Sequence, residues 1–234
     1  MGFIKVLLLI AAASAHYIGF RPPCPPASKD DQVYTGSLFE KVVIIFVNSV
    51  RVVITTLCLA HAAMVISLHY PSATVALTPH LCPHPSSQLN LLATTSPLFL
   101  FGVFIIGLAA LLRVWCYTTL GTMFTYRVTI KPSHSLIISG PYAYMRHPSY
   151  TGVLFLLIGS ALTFRSAGSY IDECGLMVTP VRWLIRTWYL FSIFSIFSLT
   201  QRAKVEDALM HETFGVQWID YSRTVTKSFI PGLV

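Results

Sequence analysis

The chain has 234 residues, 54% hydrophobic and only 11% charged. A soluble domain carries about 25% charged residues, so these proportions exclude an ordinary soluble protein and point to a polytopic membrane protein. The formal charge of +7 does not signal a nucleic-acid partner, because the Lys and Arg residues sit between apolar runs, where membrane topology places them.

A crossing helix needs about 20 apolar residues. In chain order the candidates are Phe3–Phe20, Val42–Leu68, Pro97–Tyr117, Tyr150–Phe164 and Val181–Thr200. The second is long enough to tilt. The fourth is short for a crossing and is expected to pair with the fifth as a C-terminal helical hairpin, joined near Arg165–Pro180. The fold class is therefore all-α, a polytopic membrane bundle of about five transmembrane helices forming one domain over residues 1–234. Residues 1–117 read as scaffold spans; residues 118–234 hold the polar segments.

The loops orient the bundle. With five spans, Arg21, Lys29, Lys41, Arg127, Lys131, Arg146, Arg202, Lys204, Arg223 and Lys227 fall on one side. Lys5, Arg165, Arg182 and Arg186 fall on the other, and the loop Tyr70–Ser96 has neither Lys nor Arg. This bias favours a multi-pass protein with a cytoplasmic C-terminal tail. Lys5, the apolar run after it and Ala13–Ala15 also resemble a cleavable signal peptide. Cleavage would invert every later loop and turn most basic residues the wrong way.

Five cysteines (Cys24, Cys58, Cys82, Cys116, Cys174) form no CxxC pair. An odd count with two inside apolar runs gives little support to a disulfide framework. His80, Cys82 and His84 alternate in "PHLCPHP", but two prolines and the lack of a fourth ligand argue against a metal site. No metal ligand set is expected.

Two polar segments, Thr118–Ser149 and Gln201–Val234, share one side of the membrane. In "RHPSY", Pro148 suits the first position of a helix and Gly140-Pro141 suits a turn before it. Such a helix mouth aims N–H groups at the cytoplasmic surface and suits an anion. The plainer reading is an interfacial anchor, and the sequence leaves open whether Arg146 does more than touch lipid headgroups. Arg202 and Glu206, four apart, share a helix face. On spacing alone they read equally as an ordinary surface pair.

The stretch "HSLIISGPYAYMRHPSYTG" (His134–Gly152) resembles the signature of the isoprenylcysteine carboxyl methyltransferases. "RAKVEDALMHETFGVQWIDYSRTV" (Arg202–Val225) is similar to that family's C-terminal block, with Glu206-Asp207, Phe214-Gly215, Tyr221 and Arg223 in its pattern. The resemblance covers about Phe124–Gly232. It implies an endoplasmic reticulum membrane enzyme whose catalytic half is residues 118–234. Its cofactor would be S-adenosyl-L-methionine, and it would methylate the C-terminal carboxylate of prenylcysteine-terminated proteins, with membrane lipid as its other partner. Carried over, His134, Ser135, Leu136 and Ile137 line the adenosine pocket. Tyr142 and His147, Pro148, Ser149 and Tyr150 hold the rest of the cofactor, Glu206 faces its positive groups, and Arg202 meets the substrate carboxylate. Two departures stand out. Thr129 sits where some members carry Gln, and the acidic run shrinks to Glu206-Asp207.

The chemistry agrees with those residue types. A C-terminal carboxylate, with a reference pKa of about 3.3–3.7, is ionised at neutral pH, so its methylation needs no general base. Arg can hold it with two parallel hydrogen bonds. The alternatives are a phospholipid or other small-lipid methyltransferase, whose amine would need a base, a membrane sterol reductase, and a non-catalytic membrane protein retaining the fold.

Overall fold

The computed structural model describes residues 2–21, 32–34, 36–125, 127–130 and 135–229. The apolar runs become helices α1 (Gly2–Gly19), α2 (Leu38–Ser67), α4 (Pro97–Leu120), α5 (Pro148–Phe164) and α7 (Val181–Phe214). All but α5 are long and apolar enough to cross a membrane. The 17 residues of α5 extend roughly 26 Å at about 1.5 Å per residue, close to a thin bilayer's hydrocarbon core. The protein is a multi-pass helical membrane bundle.

Local chemistry sets the helix starts. The Ser37 hydroxyl accepts a hydrogen bond from Phe39 N at 3.1 Å, and that of Ser96 accepts one from Phe99 N at 3.2 Å. Such caps satisfy donors that a helix leaves unpaired. Pro97 and Pro148 sit in the first turns of α4 and α5, where a missing N–H costs nothing.

The last two spans run antiparallel, but α5 packs chiefly along α4 and touches α7 lightly. Glycine is the reason. A Cβ on Gly102 would lie 2.8 Å from Gly159 O, and one on Gly159 would lie 2.9 Å from Gly102 O. Small residues let two membrane helices approach at backbone distance, which gives dense van der Waals contact where lipid offers no hydrophobic drive.

Three helices lie in segments that the sequence reads as connections. α3 (Pro71–Leu81) and a 3-10 turn (Leu89–Ala93) fill the stretch after α2. α8 (Val216–Thr224) follows α7 after Gly215, whose φ of 52° lies in the left-handed region that glycine tolerates best. A four-residue helix, α6 (Tyr170–Glu173), precedes α7. A two-residue pairing, β1 (Gln32–Val33) with β2 (Thr129–Ile130), ties the segment before α2 to the segment after α4.

The cysteine reading needs correction. Cys82 and Cys174, 92 residues apart, form a disulfide between the end of α3 and the end of α6. Both lie at the end of the bundle that carries Lys5, whose Nζ donates to Gly168 O at 2.9 Å. Their separation hides the pairing, because only the folded bundle brings the two connections together. Cys82 is thereby committed to a bond rather than to a ligand set with His80 and His84. Cys58 and Cys116 are buried thiols in the spans, and Cys24 lies outside the described residues.

Candidate functional site at the membrane boundary

At the other end of the bundle, the start of α5 meets the extended half of α7. His147 stands at the mouth of α5 and Tyr150 one turn inside, with rings stacked at 5.3 Å. Across from them, α7 presents Arg202 and Glu206 one turn apart. The Tyr150 hydroxyl donates to Glu206 Oε2 at 2.5 Å, and the Arg202 guanidinium lies 5.6 Å over the Tyr150 ring. His147 Nε2 is 2.8 Å from Asp207 Oδ1, and Nδ1 is 3.5 Å from Glu206 Oε2. Burial pushes this imidazole toward its neutral form. The bonds to Asp207 and Glu206 outweigh burial and hold its pKa at about 9. His147 is a cation at neutral pH, with both ring nitrogens donating.

Arg202 is not an ordinary surface residue. It is 8% exposed, and its Nη1 lies 3.2 Å from Oε1 of Glu40, a 3% exposed carboxylate in the first turn of α2. The other Glu40 oxygen accepts from Val128 N at 3.2 Å. Arg113 of α4, 2% exposed, joins three elements. Its Nε donates to Gly19 O at 2.8 Å, and its Nη1 donates to Ser149 Oγ at 2.6 Å. Neither Glu40 nor Arg113 was singled out from the sequence. The available signal was an ionisable residue within or at the start of an apolar span, which the membrane tolerates only where protein surrounds it.

The tail closes the mouth of α5. Arg146 N donates to Lys227 O at 2.9 Å and His147 N to Ser228 O at 2.8 Å. The Arg146 side chain pairs with Asp207 at 3.2 Å and donates to Val225 O, also at 3.2 Å. Arg146 is thus a clamp on the tail, not merely a lipid contact. The N–H groups of residues 146 and 147 are consumed by tail carbonyls, so the helix mouth is less open to an anion than its sequence implied. Phe229 packs against both His147 and Tyr150. Trp218, Tyr221 and Val225 form a small apolar cap with Leu136, Met210 and Phe214, and the Tyr221 hydroxyl donates to Tyr142 O at 2.8 Å.

One pocket joins these groups. Ser135, Leu136, Ile137, Tyr142, His147, Ser149, Tyr150, Arg202 and Glu206 all line it. Pro148 does not; it shapes the first turn of α5 from a buried position. His134 lies outside the described residues. The opposite wall is apolar and comes from the first half of the chain, through Phe20, Phe39, Val43, Phe46 and Val47. Arg202 Nε and Ser195 Oγ line or adjoin this space, buried and without a hydrogen-bond partner among the described residues. Unpaired buried polar atoms are costly, so these two suit a ligand that supplies acceptors.

The arrangement defines a class: a polytopic helical membrane protein with a mixed-charge pocket at one membrane boundary and an apolar wall continuous with the spans. Residues 100–183 match the family model of the isoprenylcysteine carboxyl methyltransferase (ICMT) family. The chain is 29% identical over 129 residues to protein-S-isoprenylcysteine O-methyltransferase A of Arabidopsis thaliana, covering 54% of this chain and 56% of that protein. It is 28% identical over 126 residues to the Saccharomyces cerevisiae protein-S-isoprenylcysteine O-methyltransferase, covering 53% and 45%. With the Mus musculus protein of that name it shares 26% over 136 residues, covering 56% and 42%. The chain spans about half the length of the curated relatives it matches.

Proposed function

We propose that this protein is a protein-S-isoprenylcysteine O-methyltransferase of the endoplasmic reticulum membrane that uses S-adenosyl-L-methionine. The observation that carries the reading is the convergence of Arg202, Glu206, His147 and Tyr150 on one pocket whose far wall is apolar. A carboxylate on a lipid-modified cysteine needs that combination.

When bound, S-adenosylmethionine supplies an electrophilic methyl group on a cationic sulfonium. Glu206 presents a carboxylate suited to its positive groups, and residues 135–137 with the apolar cap beside them offer a slot for a flat aromatic base. Arg202 holds the substrate carboxylate. With the donor bound, the carboxylate that Arg202 holds would take the methyl group through one oxygen, and the carbon–sulfur electron pair would go to sulfur. An anion and a cation become a neutral ester and a neutral thioether, so no proton has to move. Orientation is the larger demand; Arg202, fixed by Glu40 and stacked on Tyr150, meets it. The wall of Phe20, Phe39, Val43 and Phe46 gives the prenyl chain a route from the bilayer.

His147 favours a carboxylate acceptor over a phospholipid amine. An amine must lose a proton, and the histidine of this site is already protonated at neutral pH. The disulfide supports the orientation. Disulfides persist in oxidising compartments, so the end bearing Cys82 and Cys174 faces the lumen, and the pocket and tail face the cytoplasm.

The test is a membrane assay with methyl-labelled S-adenosylmethionine and three parallel acceptors: S-farnesylcysteine, phosphatidylethanolamine and none. Base-labile label in farnesylcysteine alone is expected. Label confined to phospholipid would overturn the reading.

A further inference from the structure

Glu40 lies outside the segment matched to the family, yet it makes the closest charged contact to Arg202 in the site. It is held from two sides, by Val128 N and by Arg202 Nη1, each at 3.2 Å. Its position in the first turn of α2 also stabilises its charge, since a helix N-terminus favours an anion there. The contact with Arg202 runs through one terminal nitrogen. Nε, on the guanidinium edge that grips a carboxylate in two-point fashion, has no partner among the described residues.

We infer that Glu40 is a positioning and charge-tuning residue for the methyl transfer. This rests on the proposed function. Two physical requirements meet at Arg202. A buried guanidinium needs a counter-ion when no substrate is present. Once a substrate carboxylate binds, too strong a neutralisation would hold its oxygen in the ground state and oppose attack on the methyl carbon. A permanent carboxylate on Nη1 answers both. It fixes the plane of the guanidinium, leaves the Nε edge to the substrate, and shares the positive charge so that the substrate oxygen stays nucleophilic.

The consequence separates Glu40 from a merely structural residue. In Glu40→Gln the amide keeps the shape but not the charge, and Arg202 is no longer shared. KM for S-farnesylcysteine should fall several-fold while kcat falls about tenfold, because the unshared guanidinium holds the ground-state carboxylate more tightly than the transition state. Binding of the neutral product, S-farnesylcysteine methyl ester, should not change.

Wild-type and variant proteins are compared in native membranes at saturating labelled S-adenosylmethionine. If the wild type does not label S-farnesylcysteine, the functional reading fails and this inference fails with it. If the wild type is active and Glu40→Gln keeps its kcat, or loses kcat with an unchanged or higher KM, the inference on Glu40 is overturned and the function stands. If Glu40→Gln does not fold, Glu40→Asp decides. That variant keeps the charge but draws the guanidinium out of line, so a reduced kcat without a lower KM supports the inference, and native constants overturn it.

Discussion

At the residue scale, the proposed function assigns different work to two pocket side chains one helical turn apart. On the proposed function, Arg202→Ala removes the group assigned to orient the carboxylate, and it strands Glu40 in a buried position. Methyl transfer should fall about a hundredfold, equivalent to roughly 3 kcal/mol, while donor affinity changes little. Glu206→Ala should do the reverse, raising the KM for the donor more than it lowers turnover. Initial-rate kinetics with each substrate varied in turn separate the two. His147 makes stability depend on pH. Its folded value of about 9 lies above the ordinary 6.5. Its contribution is therefore whole below about pH 6.5 and is lost as pH rises through about 9. Thermal unfolding of the detergent-solubilised protein from pH 6 to 10 should show that loss, and His147→Gln should flatten it. Arg202 and Glu206 were legible from four-residue spacing and a family pattern. Glu40 was not, because nothing local connects a residue at the start of one span to a residue 162 positions later in another (202 − 40).

At the scale of elements, the spans were readable because each is a long apolar run with few charges; four of the observed helices start and stop within a few residues of those runs, while α7 runs on past Thr200 to Phe214. α5 was readable despite its length, since Pro148 marks its start. α3 and α8 escaped for physical reasons. α3 contains Pro79 in its interior and fully buries none of its side chains, with only Leu77 and Leu81 packing partly against the core, so no apolar stripe announces it. α8 is nine residues long, and its start is set by Gly215 rather than by a run of hydrophobics. The seam between α4 and α5 carries a prediction. A Cβ at Gly102 would meet Thr163 Oγ1 at 2.5 Å as well as the α5 backbone. Gly102→Val should wedge the helices apart and cost about 1–3 kcal/mol, as overpacking does. Because α5 carries His147 and Tyr150, activity should fall with the melting temperature. Gly107→Ala, on the same helix with nothing within 4 Å of its new Cβ, should leave both intact.

At the scale of the whole molecule, charge and sulfur give independent readings of orientation. The basic residues gather at the pocket end; the disulfide closes the other. Cys82 and Cys174 should take up a maleimide-linked polymer in denatured membranes only after reduction. A protease site inserted beside Cys82 should be shielded in sealed vesicles, and one placed in the tail should be cut. The reverse pattern would contradict a cytoplasmic pocket. Replacing both cysteines with Ala should lower stability by about 2–5 kcal/mol without removing the site, since the bond lies at the far end.

The backbone pairing of residues 146 and 147 with residues 227 and 228 has a consequence for synthesis. The pocket takes a wall from Phe20, before α2, and its mouth is braced by Ser228 and Phe229, after α8. A ribosome-bound chain can insert all five spans and still lack the strap that orders the mouth of α5. Nascent or clipped copies would then sit in the membrane fully threaded yet idle. On the proposed function, competence for chemistry would arrive only once residues 225–229 close over the start of α5.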